Sequence, residues 1–339
     1  MPKQIWVTNL RVLATLSVIL LHASGGGIFN YNTIPLSWYW ICNLTNSFGF
    51  FAVPCFVMLS GYLLLGRYDG NLVSFLQKRF TRVWLPFTLW IGIYLAYRIF
   101  YEHRANSIST CIQKYLGGDV LYGHLWFVYM ILGMYLLTPY LSRWLKTATQ
   151  QEIYFFLFLS FISASIFPLI TKITGFPIKF DLQNFGGYIG YYVAGYVLGN
   201  ADTSAYKKYY PFIFISAWLL STFGNYYETM NHAGKYQGNF YNYLSPNIII
   251  DAVAIFLTFK HWLNIEILPK VTNLFDKYSY GIYLVHELVL RHLSRAYHIN
   301  WIYKHPLIGI SLQTSLTIVL STLIILLLSK LPKGYWITG

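Results

Sequence analysis

Two side chains near the start of the chain are of types that do chemistry, and their spacing lets them cooperate. In the apolar segment RVLATLSVILLH, Arg11 and His22 are eleven residues apart. Eleven steps of about 100° make three helical turns plus about 20°, so both side chains lie on one face, about 16 Å apart along the axis. An Arg within a membrane span costs about 2.5–3.5 kcal/mol on insertion scales, so it tends to face protein or water. A neutral imidazole deeper on the same face accepts a proton and can act as a general base. The plain alternative is that Arg11 snorkels to lipid phosphates and His22 hydrogen-bonds inside the bundle.

Further along, Arg79 and Arg82 are three residues apart and share a face if helical, with Lys78 adding a third charge. Guanidinium groups match phosphate oxygens in bidentate fashion. The same residues also suit a topology signal that keeps their loop inside. Asp251 and the pair His286–Glu287 fall within later apolar stretches, where acids are costly and usually functional. Either carboxylate could orient an imidazole, or the groups form a structural polar pair. Ser60 reads as a hydrogen-bonder and Gly61 as a close helix contact. No G-x-S-x-G elbow occurs, which argues against a serine hydrolase.

These residues need elements to hold them, and the sequence supplies apolar helices. Of the 339 residues, 56% are hydrophobic and 10% charged, against about 25% charged in soluble domains. Spans are expected near 9–28, 45–66, 83–101, 124–145, 153–172, 184–200, 209–224, 244–262, 279–298 and 306–329. This is an all-α, polytopic membrane bundle of about ten helices, with kinks expected at Pro54, Pro139 and Pro168. With both termini cytoplasmic, fourteen Lys/Arg fall inside and nine outside, Arg11 being left within the first helix. The net charge of +13 is dispersed between apolar runs, which excludes a single nucleic-acid-binding stripe and fits topology signals and anionic-lipid contacts. The N-terminus is an uncleaved first helix, because no A-x-A site follows it. Cys42, Cys55 and Cys111 form no metal pattern, and a Cys42–Cys111 disulfide is conceivable in the outer loops.

Five segments together resemble a known family. Arg-x10-His in the first span, FFAVPCFVMLSGYLL (Phe50 to Leu64), KRFTRVWLPF (Lys78 to Phe87), HLWFV (His124 to Val128) and YSYGIYLVH (Tyr278 to His286) occur in order. They resemble the motifs of membrane-bound acyltransferase family 3, in the short form similar to O-antigen and enterobacterial common antigen acetylases. The resemblance spans nearly the whole chain, read as one membrane-embedded domain over 1–339 with no appended soluble domain.

The resemblance implies acetyl transfer from cytosolic acetyl-CoA, as co-substrate, to a hydroxyl of a cell-surface or lipid-linked polysaccharide, with no metal. It places the protein in the bacterial inner membrane. His22 would be the base, acting on the acceptor or first on a carrier atom of the enzyme, and Arg11 would hold the donor or orient the site. His286 and Glu287 would complete the catalytic group; Lys78, Arg79 and Arg82 would hold the CoA phosphates. His124 and Trp126 could line the acceptor entrance, or belong to an interfacial aromatic belt. Asp251 would serve the substrate. Arg291 and Arg295, in a basic cluster with His292, His298, Lys304 and His305, would contact an anionic acceptor such as a diphosphate-linked glycan, unless that cluster is a solvated or lipid-bound loop. Two other functions fit the same residues. One is a transporter or flippase for a lipid-linked glycan, although no two-fold internal symmetry is visible. The other is a non-catalytic partner in a glycan assembly complex.

Overall fold

The computed structural model describes residues 4–103, 122–176, 178 and 183–339, with 183–186 as backbone only. Lys3, Arg104, Cys111, Lys114 and Lys179 lie outside the described residues. All regular structure among the described residues is helical. The chain runs through α1 (Ile5–Ile28), α2 (Leu36–Phe48), α3 (Ala52–Leu64), α4 (Leu72–Arg79) and α5 (Leu85–Phe100). It continues with α6 (Trp126–Thr147), α7 (Gln150–Phe161), α8 (Phe167–Thr174), α9 (Gln183–Asn200) and α10 (Tyr210–Asn231). The last elements are α11 (Pro246–Trp262), α12 (Pro269–Ala296), α13 (Pro306–Ser329) and the short α14 (Tyr335–Thr338).

Six helical stretches among the described residues are long and apolar enough to cross a membrane: Ile5–Ile28, Leu36–Arg67, Leu72–Phe100, Gly123–Thr147, Gln150–Thr174 and Pro306–Ser329. Helices α9 to α12 coincide with the other four expected spans but are shorter or more polar. Two of them carry Asp251, His286 and Glu287. Several boundaries differ from expectation. The helix expected from 279 begins at Pro269, where the fixed φ of proline suits the first helical turn. The span expected over 45–66 is two helices, because Pro54 has no N–H to bond the Phe50 carbonyl one turn back. Pro139 lies inside α6.

Two π-helical turns have the same kind of cause. Phe80–Trp84 links α4 to α5, and Ile162–Ile166 links α7 to α8. Each is followed by a proline, Pro86 and Pro168, whose missing N–H frees the carbonyl four residues back, at Arg82 and Ala164. Those carbonyls sit within the widened turns.

α1 runs through the middle of the bundle, against α2, α3, α11, α12 and α13. It can be buried because its polar residues find partners there. Asn9 donates to the carbonyls of Leu263 (2.8 Å) and Ile265 (2.9 Å). Ser24 donates to Leu20 (2.8 Å), and Asn46 of α2 donates to Leu21 (2.8 Å). Small residues let α3 and α9 meet backbone to backbone, since a Cβ on Gly61 would stand 1.8 Å from the Tyr192 carbonyl oxygen. α2 and α10 are joined by side-chain amides: Asn43 donates to Thr222 O (2.9 Å), and Asn225 donates to Asn43 Oδ1 (2.8 Å). Cys42 is a buried free thiol packed on Gly27. Outward faces carry large apolar side chains such as Phe212, Phe223, Leu323 and Leu327, the surface a lipid solvent requires.

Candidate active site

Three helix ends and faces bring three imidazoles together. His22 lies five turns along α1, His124 in the 3₁₀ turn Gly123–Leu125 that opens α6, and His286 in the middle of α12. The ring centroids are 6.4 Å apart for His22–His124, 5.4 Å for His22–His286 and 5.1 Å for His124–His286. His286 is fully buried and His124 nearly so, while His22 is half-buried.

The hydrogen bonds around the rings fix which nitrogens carry protons. His286 Nδ1 lies 2.5 Å from the Tyr283 carbonyl oxygen, which can only accept, so Nδ1 carries the proton. Nε2 is then a bare acceptor, and it has no partner among the described residues. Tyr94, on α5, gives its single proton to the Leu284 carbonyl at 2.9 Å. Its oxygen, 3.3 Å from His124 Nε2, therefore accepts from that ring. His124 Nδ1 is left as a second bare acceptor, also buried and without a partner among the described residues. Two buried lone pairs without donors cost free energy unless something supplies a proton or hydroxyl. The Tyr283 hydroxyl donates to the His124 carbonyl and pins the turn that carries the ring.

Glu287 follows His286 and is tied to Arg291 at 2.8 Å, one turn on. Both lie near enough to the His22 ring to act on it electrostatically. Arg291 also lies over the Tyr122 ring at 4.6 Å, and Arg295 is paired with the buried Glu102 at 2.7 Å. The two arginines expected to meet an anion are thus each held by a carboxylate.

Toward the end where α1 begins, a cavity of about 350 Å³ gathers the other expected cations. Arg11, Arg79 and Arg82 all line it, with Ser60, Tyr135 and Tyr283. Arg79 is held over the rings of Phe75 (4.9 Å) and Tyr135 (5.5 Å). Arg11 is ion-paired with Asp276 at 2.5 Å, and does not extend to lipid. Lys78 lines a neighbouring space of about 260 Å³ with Arg67 and Arg79. Ser60 donates to the Phe56 carbonyl at 2.8 Å. Arg11 and His22 therefore occupy adjoining compartments. Tyr283 borders both, since it lines the cationic cavity and its ring centroid is 5.7 Å from those of His124 and His286.

Two expected residues stand apart. Asp251 is buried beside Cys55 and Tyr191, and neither carboxylate oxygen has a partner among the described residues. Trp126 turns to Tyr188 (5.4 Å) and Tyr243 (5.7 Å).

The model of the acyltransferase domain of family 3 matches residues 4–330, nearly the whole chain. The chain belongs to acyltransferase family 3. The acyltransferase is also 23% identical over 295 residues to the Bacillus subtilis (strain 168) protein named "Putative membrane-bound acyltransferase YfiQ", covering 82% of this chain and 78% of that protein. No solved structure matches it significantly.

The sequence alone does not mark out Asp276, Tyr94 or Tyr283 as site residues. Asp276 lay outside the expected ninth span, three residues before its assumed start. Tyr94 and Tyr283 are two of 31 tyrosines, and only the fold marks them out. The one available signal was the helical repeat Tyr283–His286–Glu287, which places all three on one face.

Proposed function

We propose that this acyltransferase moves an acetyl group from cytosolic acetyl-CoA to a hydroxyl of a cell-surface or lipid-linked polysaccharide. The observation that carries the reading is the pair of unpartnered imidazole nitrogens, His286 Nε2 and His124 Nδ1, packed with His22 next to a cavity lined by Arg11, Arg79 and Arg82. That cavity has the chemistry of a donor site: guanidinium groups in its lining suit the CoA phosphates, and the neutral thioester arm extends past Tyr283 toward the histidines. Lys78 reinforces the field from the adjoining space.

An imidazole, His22 in this reading, takes the proton of the acceptor hydroxyl as the oxygen attacks the thioester carbonyl. The C–S bond then breaks, and the imidazolium returns its proton to the CoA thiolate. The bare nitrogens of His286 and His124 accept from neighbouring hydroxyls of the acceptor, while Glu287 and Arg291 set the field around His22. The protein crosses the bacterial inner membrane about ten times with both termini cytoplasmic, which puts the cationic cavity on the side where CoA is made.

The test is mass spectrometry of surface glycans from cells with and without the protein, backed by transfer of labelled acetyl-CoA with purified protein. A gain of one acetyl mass that requires His22 is expected. Unchanged glycans and no label transfer would refute the reading.

A further inference from the structure

The opposite end of the bundle holds a cavity that the reaction above leaves unassigned. It is an open space of about 380 Å³ between the π turn Ile162–Ile166, α8 and the segment entering α11. Its polar lining comprises Ser165, Lys172, Asn239, Asn242 and Ser245.

Several of these groups have unused hydrogen-bonding capacity. Ser165 is 2% exposed, and its hydroxyl has no partner among the described residues. Asn242 uses its Oδ1 to accept from the Leu244 N–H at 2.9 Å, and its carboxamide nitrogen makes no hydrogen bond among the described residues. Asn239 donates to Glu228 at 3.0 Å, and its side-chain carbonyl accepts no hydrogen bond among the described residues. Lys172 is bound to the same carboxylate at 2.6 Å, so the lining offers no uncompensated charge. A neutral set of hydroxyls and carboxamides, each with a donor or acceptor to spare, matches the hydroxyls of a sugar ring and not a phosphate.

Aromatic contacts connect the edge of this cavity with the turn that carries His124. Tyr243 follows Asn242 and faces Trp126, which is two residues past His124. Tyr191 fixes this turn by donating to the Tyr243 carbonyl at 2.6 Å. Aromatic faces of this kind suit the apolar side of a pyranose. The π turn that Pro168 imposes is what sets Ser165 at the wall, and such turns recur at functional sites.

We propose that this cavity binds a neutral sugar ring of the acceptor, the glycan running on past Tyr243 and Trp126 toward His124. The inference rests on the acyl-transfer reading. The test uses full-length protein in nanodiscs with Cys111→Ser, since Cys42 and Cys55 are buried. Asn242→Cys and Ser60→Cys are labelled separately with a maleimide, in the presence of coenzyme A or of the methyl glycosides of glucose, galactose, mannose, rhamnose and N-acetylglucosamine. At several times the dissociation constant, at least one glycoside should slow labelling of Asn242→Cys about fivefold, and coenzyme A should not. Coenzyme A should slow labelling of Ser60→Cys by a similar factor. If coenzyme A protects Ser60→Cys but no glycoside slows Asn242→Cys labelling by about twofold, the sugar site is refuted while the donor site stands. Protection of Asn242→Cys by coenzyme A refutes it equally. If coenzyme A leaves Ser60→Cys unprotected, the donor site fails, and the glycoside result still decides the second cavity.

Discussion

Tyr94→Phe isolates the part of the site that sets the protonation pattern. Tyr94 is fully buried, and its hydroxyl has two duties: it donates to the Leu284 carbonyl and accepts from His124 Nε2. Removing the oxygen barely affects Leu284, whose carbonyl keeps its place in the α12 hydrogen-bond ladder. The cost falls on His124. Its Nε2–H loses its acceptor, which costs about 1–3 kcal/mol in a buried setting. The ring recovers part of that by shifting its proton to Nδ1, and this removes the bare nitrogen that accepts from a neighbouring hydroxyl of the acceptor. If the whole penalty appears in the transition state, kcat falls about 5- to 150-fold. KM for acetyl-CoA should stay unchanged, because the cationic cavity lies on the other side of Tyr283. The assay is steady-state transfer of labelled acetyl groups by protein in nanodiscs, paired with ¹⁵N NMR of the histidine rings. A loss of kcat with a changed His124 tautomer signature supports the argument. Wild-type kcat, or an unchanged His124 signature, would refute it.

Other substitutions probe separate parts of the same argument. His22→Ala should lower kcat by about 10²–10⁴-fold, the usual worth of a general base, in protein that still inserts and keeps its thermal midpoint. The double substitution Arg79→Ala with Arg82→Ala should raise KM for acetyl-CoA by at least about tenfold, since hydrogen bonds to charged groups contribute about 1.5–3 kcal/mol each; acceptor KM should hold steady. Asp276→Asn removes the charged partner of Arg11 and should also raise donor KM. Gly61→Ala places a methyl 1.8 Å from the Tyr192 carbonyl oxygen, a backbone atom that cannot swing aside, and should lower the thermal midpoint in detergent with a cost of about 1–3 kcal/mol or more.

The helices were legible because lipid demands continuous apolar stretches, and hydropathy reads those directly. Boundaries at Pro54 and Pro269 were less so, because proline ends one helix and starts another according to context that a window average blurs. The face shared by Arg11 and His22 followed from helical geometry alone. That they would lie in adjoining compartments did not, since Tyr283 stands at their border and comes from a helix more than 250 residues further along the chain. Asp276 shows the same limit. Its pairing with Arg11 is a long-range contact between a membrane helix and a stretch expected to be loop, and nothing in either segment announces it.

The division into compartments also has a chemical logic under the proposed reaction. A phosphate-bearing donor brought into the imidazole chamber would be an ion in a poorly solvated space, at a cost of several kcal/mol. Keeping the phosphates at Arg79 and Arg82 while only the thioester arm passes Tyr283 avoids that cost. The group transferred is neutral, and the proton taken from the hydroxyl ends on the departing thiolate, so one turnover leaves the chamber with the charge it began with. The charges nearest the chamber are consistent with this. Glu287 is compensated by Arg291, Glu102 by Arg295 and Arg11 by Asp276, so the histidines work among paired ions. In such a field an imidazole can gain and lose a proton within one catalytic cycle without any long-range charge having to move.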